Sequence, residues 1–351
     1  MKIINPSIEV MRTGLEKDFM TPEQFIEKVG RTCYKSEDNI TADSAVKFVS
    51  GLVKRDHEAM IEHWSLIFAT DPECYWDIAA DQDLLMRNGN AYEDNAELIE
   101  KNLRPFLRFT NTEVDGGTRY IVSGNMRAWR DFARAYVNTC GQIPDYMYGM
   151  IRCYPTFFPE FRDYVPAIIV NDILHPITVN DLVGEFEHSV HHDVTVKFIC
   201  DRGVSHEIVR HRTASFAQES TRYCNYGLGK FGGEITVVMP AKWIDLPEEK
   251  RVCSYTDAEL DSPQYSTWYH GCKFAELSYN LMVNTGSTPQ EARSVLPSSL
   301  KTEVIMTGNL DCWKHFFHLR CAPDAHPDIQ VVAKMVRDEF QRHCLIDTKE
   351  G

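Results

Sequence analysis

Long apolar runs are missing from this sequence. No stretch approaches the roughly 18 to 20 consecutive apolar residues that a membrane span needs, and the opening MKIINPSIEVMRTG has no signal-peptide core. The expected compartment is therefore cytoplasmic, with no membrane partner. Positive charge is also scarce: 37 Lys+Arg against 51 Asp+Glu leave a net charge of −14, the wrong sign for a general nucleic-acid binder. None of the 11 cysteines pairs with another as Cys-x-x-Cys, the spacing usual in structural zinc and thioredoxin-like sites. An odd number scattered through a long chain also argues against a disulfide scaffold. No repeat of roughly 20 to 50 residues and no low-complexity tract is evident, which excludes solenoids and propellers.

What is present is an ordinary globular mixture, 43% hydrophobic and 25% charged over 351 residues, enough to bury a substantial core. Asp43 to Asp56 carries a helical apolar stripe, and His63 to Thr70 alternates as a strand. Tyr120 to Val122 reads as a strand, Ser123-Gly124 as a turn, and the residues from Met126 as a helix. DVTVKFICD then alternates into the helix-like RGVSHEIVRHR. Later come a β-branched run at Ile235 to Met239, a long helix over Tyr265 to Asn284, and a helix from Pro327 to His343. The expected fold is α+β, one domain over residues 1–351. Two less regular stretches, about 71–117 and 139–189, read as insertions.

Chemistry concentrates between Asp201 and Tyr223, which hold Arg202, Arg210, Arg212 and Arg222, with His206 and His211 and no lysine. Guanidinium grips phosphate or carboxylate through two parallel hydrogen bonds, so the cluster points to phosphorylated small molecules or to pairing with neighbouring carboxylates. On a helix Arg210, His211 and Arg212 point about 100° apart, so they serve different sites or a subunit boundary. Zincin-like pairing fails, because His206 and His211 are five apart and the fourth position is Arg210; His57 and His63 fail likewise, and His192-Asp193 reads as a strand entry. No metal is expected.

Arg210-His211-Arg212, seven residues and Ser220 form the signature of the flavin-dependent thymidylate synthases, and RHRTASFAQESTRY resembles that family closely. DHEAMIEH (Asp56 to His63), SGNMRAW (Ser123 to Trp129), EARSVLP (Glu291 to Pro297) and GNLDCWKHFFHLR (Gly308 to Arg320) follow in family-like order. The resemblance implies reductive methylation of dUMP to dTMP, with methylenetetrahydrofolate as carbon donor and FAD, refilled by NADPH, delivering the hydride. It also implies a homotetramer with shared active sites. By the motif, Arg210, His211 and Arg212 face FAD, with His57, Gln218, Asn309 and His315 as further flavin contacts. Glu207, Arg210, Gln218, Glu219, Ser220, Thr221, Arg222 and Arg293 surround dUMP, and Arg320 is the catalytic residue, a fixed cation at the uracil ring.

This sequence departs from the family pattern at Gln218, Ala217, Ala59 and above all Asp311, where the family carries an arginine. Ser220 has no evident base and is assigned to binding. The Pro-Cys-His signature of flavin-independent synthases is absent. The alternatives are hydroxymethyl transfer or a cytosine nucleotide on the same fold, and a non-enzymatic nucleotide or RNA binder stacking on Phe216, Tyr223 and Tyr226.

Overall fold

The computed structural model describes residues 1–16, 20–89, 107–166, 174–222, 226, 233–251 and 263–347. Tyr223, and the parts of the two irregular stretches at 90–106 and 167–173, lie outside these.

Helix starts are written in local chemistry. Thr21 forms a capping box with Gln24 ahead of α1 (Pro22–Tyr34), whose Pro22 occupies a position where a missing N–H costs nothing. An apolar stripe buries Ala45, Val49, Leu52 and Val53 on α2 (Ser44–Lys54). Strand β3 (Ser65–Thr70) follows, then α3 (Pro72–Gly89). Strands β4 (Arg108–Val114) and β5 (Gly117–Asn125) form a hairpin. The turn expected at Ser123-Gly124 is absent: β5 stays paired with β3 through Asn125. There the Asn125 side chain accepts from Ala128 N–H (2.8 Å) and starts α4 (Met126–Cys140) directly.

The second part repeats this plan. After the short helix α5 (Tyr148–Cys153) come β6 (Leu174–Ile177), α6 (Gly184–His191), β7 (Asp193–Asp201) and α7 (Arg202–Ile208). Then follow β8 (Ser215–Gln218), β9 (Thr236–Val238), α8 (Pro263–Asn284) and the turn-long α9 (Pro289–Ala292). Strand β10 (Lys301–Asn309) leads into α10 (Leu310–Arg320), and α11 (Pro327–Arg342) closes the order. Asn309 caps α10 by accepting from Cys312 N–H (3.0 Å), as Asn125 caps α4.

With β2 (Ser7–Arg12), these strands build two four-stranded sheets of matching order, β2-β7-β10-β8 and β6-β3-β5-β4, beside a small β1–β9 pair in which β1 is Lys2–Ile4. The registers match too. Ser65 opposes Asn125 as Asp193 opposes Asn309, and Arg108 opposes Ser123 as Ser215 opposes Thr307. In chain order β2 precedes β3, yet it pairs with β7; β6 precedes β7, yet it pairs with β3. Each half thus lends its leading strand to the other half's sheet.

The halves meet about a pseudo-two-fold axis. Ser65 donates to Asp193, its own counterpart. Buried His63 hydrogen-bonds Thr307 (2.7 Å), and buried His191, its counterpart, hydrogen-bonds Ser123 (2.7 Å), the counterpart of Thr307. Each sheet carries its own core, one around Trp129 and Phe132, the other around Trp313 and Phe316. The fold is α+β. The irregular stretches 71–117 and 139–189 supply α3, β4, α5, β6 and α6 to it.

Candidate nucleotide and flavin site

The arginine-rich segment sits where β7 ends. Asp201 caps α7 by accepting from Val204 N–H (2.8 Å), but the helix stops at Ile208, short of the expected run to Arg212. Tight turns take over, with His211 N–H donating to the Ile208 carbonyl (3.2 Å) and Ala214 N–H to the His211 carbonyl (3.0 Å). Arg210, His211 and Arg212 therefore diverge by a turn rather than by helical phase: His211 is buried, while Arg210 and Arg212 are exposed.

Three groups of the expected residues emerge. In the first, Arg320 at the end of α10 donates from Nη1 to Glu207 Oε2 (3.0 Å), from Nη2 to the Glu207 carbonyl (3.1 Å) and from Nε to His211 Nε2 (3.1 Å). Burial, then the charge of Arg320 and then His315, pushes the His211 pKa down to about 4. At neutral pH its Nε2 is a lone-pair acceptor, and the guanidinium is held in one orientation. The His315 ring lies 5.9 Å from that of His211.

The second group surrounds the end of β8. Gln218 donates to Ser205 Oγ (2.9 Å), Arg293 reaches Thr221 Oγ1 (3.4 Å), and Arg222 N–H donates to Ser220 Oγ (3.4 Å). Glu219 is buried and paired with Lys301 (2.8 Å) and Lys35 (3.8 Å); both lysines also pair with Glu303. Burial works to lower the Lys301 pKa, but Glu219 and Glu303 outweigh it and hold it above its ordinary value. The sequence reading missed Lys35, Lys301 and Glu303; Arg202, counted in the arginine cluster but given no role there, donates from Nη1 to the Glu219 carbonyl (3.4 Å). Lys301 and Glu303 were findable as a same-face pair on an alternating strand. Lys35 was not, because it sits on the left-handed residue that ends α1.

The third group lines a cleft of about 680 Å³ on the pseudo-two-fold axis, within the range of small-molecule sites. Asn309 and His315 stand there with Asp311, facing Glu62, Asn125 and Arg127 of the first half. Arg108 spans the floor and grips Asp193 bidentately (2.8 and 2.7 Å). Burial opposes the Asp193 charge, yet Arg108 keeps that carboxyl below its ordinary pKa. His57 does not line this cleft; it is exposed and hydrogen-bonds Tyr34 (3.3 Å). Among the described residues no cluster of three His, Cys, Asp or Glu could hold a metal, and no helix is long and apolar enough to cross a membrane.

Residues 178–344 match the family model described as thymidylate synthase complementing protein. These residues, a little under half of the chain, are similar to that family. The match begins just after β6, at the start of the second half. The chain is also similar to the flavin-dependent thymidylate synthase of Pyrococcus furiosus, 32% identical over 143 residues, covering 41% of this chain and 52% of that protein. The Geobacter sulfurreducens enzyme of the same name is 31% identical over 132 residues, 38% of this chain and 49% of its own length. The Thermococcus kodakarensis enzyme is 29% identical over 165 residues, 46% and 60% respectively. The chain thus spans about half the length of the curated relatives it matches, and the matched segment contains all three residue groups except Lys35, His57 and the first half's side of the cleft.

Proposed function

We propose that the chain converts dUMP to dTMP, with methylenetetrahydrofolate giving the carbon and NADPH the reducing equivalents, which a bound FAD would relay as hydride to the transferred carbon. The observation that carries this reading is the Arg320 clamp. Glu207 and neutral His211 fix a guanidinium, and the separate group from Gln218 to Arg222 with Arg293 offers cations and hydroxyls suited to a nucleotide phosphate. A fixed cation costs no reorganisation when negative charge develops on a uracil ring losing its imide proton. In this reading Ser220, Thr221, Arg222 and Arg293 bind dUMP, Gln218 and Glu219 orient it, and Arg320 is catalytic.

The donor set also fits a flavin dinucleotide. Exposed Arg210 and Arg212 suit a pyrophosphate, and the axial cleft offers Asn309 and His315 along a space wide enough for a ring system. When bound, FAD supplies two-electron hydride chemistry. His57 completes the flavin contacts, in a homotetramer with shared sites. Incubation with dUMP, methylenetetrahydrofolate, NADPH and FAD tests the reading. A product of the mass of dTMP is expected; a hydroxymethylated nucleotide, or turnover of a cytosine nucleotide only, would contradict it.

A further inference from the structure

The cleft is lined by pseudo-symmetric pairs: Ser65 with Asp193, Asn125 with Asn309, Arg127 with Asp311, Asp131 with His315. The pairing follows from the matched strand registers and the two capping asparagines, not from sequence likeness alone. Of these pairs only Arg127/Asp311 reverses charge. The second half, which carries the arginine-rich motif, presents an anion where the first half presents a guanidinium.

Among the described residues, Arg108 and Arg127 are the two arginines lining the cleft, beside the carboxylates of Glu62, Asp131, Asp193 and Asp311. Arg108 is committed to both oxygens of Asp193. Arg127 is different: its side chain is 43% exposed, held to Glu62 (2.7 Å) and Asp131 (3.3 Å), and still open to the cleft. Asp131 takes the Nε–H of the guanidinium and Glu62 takes Nη1, so the two carboxylates fix its plane from different edges and leave Nη2 for a ligand.

We infer that the bound flavin nucleotide lies across the pseudo-two-fold axis, and that Arg127 from the first half contacts it in place of the cation that position 311 lacks. The first half is thus a working wall of the single flavin site in each chain. This rests on the flavin reading above and extends it to residues outside the family match.

FAD titration followed by quenching of flavin fluorescence tests it. Wild-type protein saturates at one FAD per chain; Arg127→Ala weakens FAD by about tenfold or more, the loss of one charged contact. Adding Asp311→Arg to Arg127→Ala returns most of the affinity by moving the cation to the paired position. If Arg127→Ala fails to fold, Arg127→Gln, which keeps the stem, is read instead. Wild-type affinity in an Arg127 variant, no recovery in the double variant at normal melting temperature, or two FAD per chain overturns the inference while leaving the flavin reading standing. Absence of FAD binding by the wild-type protein overturns both.

Discussion

The two halves of the chain share a scaffold and differ in chemistry. Both build an outer strand, a central antiparallel pair and a helix started by an asparagine cap, with Trp129 and Trp313, and Phe132 and Phe316, fully buried at matching places. Yet the position of Arg320 at the end of α10 is Tyr136 on α4, and Gln218 at the end of β8 and Glu219 just after it correspond to Asn111 and Thr112 of β4. The shared Trp, Phe and capping Asn residues pack the two cores and start the two helices; Arg320, Gln218 and Glu219 have no like residue in the first half. Buried packing and the reciprocal strand exchange constrain both halves alike, because neither sheet is complete without the other half's strand. Catalytic residues are constrained only where a substrate sits.

The comparison can be broken most severely at the paired helix ends. Arg320→Ala should lower dTMP formation by about 10²- to 10³-fold, the usual loss when a fixed charge-stabilising donor is removed, with FAD binding retained. Tyr136→Phe should leave turnover unchanged; equal losses at both positions would mean that Arg320 acts structurally. Next come the crossing histidines. His191 bonds both Ser123 (2.7 Å) and Thr110 (2.9 Å), whereas Ala217, at the place matching Thr110, offers His63 no hydroxyl. His191→Ala should therefore cost about 3 kcal/mol and His63→Ala about 2 kcal/mol in urea unfolding. The reverse order would refute the asymmetry.

Arg293→Ala, in a segment without a first-half counterpart, should weaken dUMP by about tenfold through loss of a charged phosphate contact, leaving FAD binding as it was; an unaltered dUMP dissociation constant would contradict it. Acid should act on both halves. Burial is the main cause that pushes His63, His192 and His211 to about 4 and His191 to about 3. Each stays neutral in the folded chain while its unfolded form protonates near 6.5, so stability is full above that value and is lost as pH falls from about 6.5 toward 4. A melting temperature that rises over that range would contradict the burial argument. The smallest effect is expected at the exposed thiols Cys140 and Cys344: serine there should leave turnover unchanged, and loss in a folded, flavin-loaded variant would reopen a cysteine mechanism.

Much of this was legible in the sequence. Alternation marked β3 and β7, the helical stripe marked α2, and the motif from Arg210 to Ser220 marked the residues that gather around Arg320 and Thr221. The expected helix overruns the end of α7, because the apolar pair Val204 and Ile208 sets a helical phase but carries no stop signal, and the backbone turns after Ile208 to bury His211. The turn expected at Ser123-Gly124 failed for a related reason: a glycine inside a strand reads as punctuation until its partner strand is known. The internal duplication escaped a search for short repeats because each half is far longer than such a unit and retains few identities, among them Gly124/Gly308 and Asn125/Asn309. Strand exchange, being a long-range pairing, leaves no local trace. The cleft's first-half wall was legible only as the segment SGNMRAW, whose place opposite Asn309 and Asp311 likewise depends on long-range pairing.

The most direct measurement is anaerobic reduction of the FAD-loaded protein by NADPH, followed by flavin absorbance with and without dUMP. The account predicts bleaching that dUMP accelerates, which places flavin, reductant and nucleotide at one site. Bleaching indifferent to dUMP, or no reduction by NADPH, would contradict it.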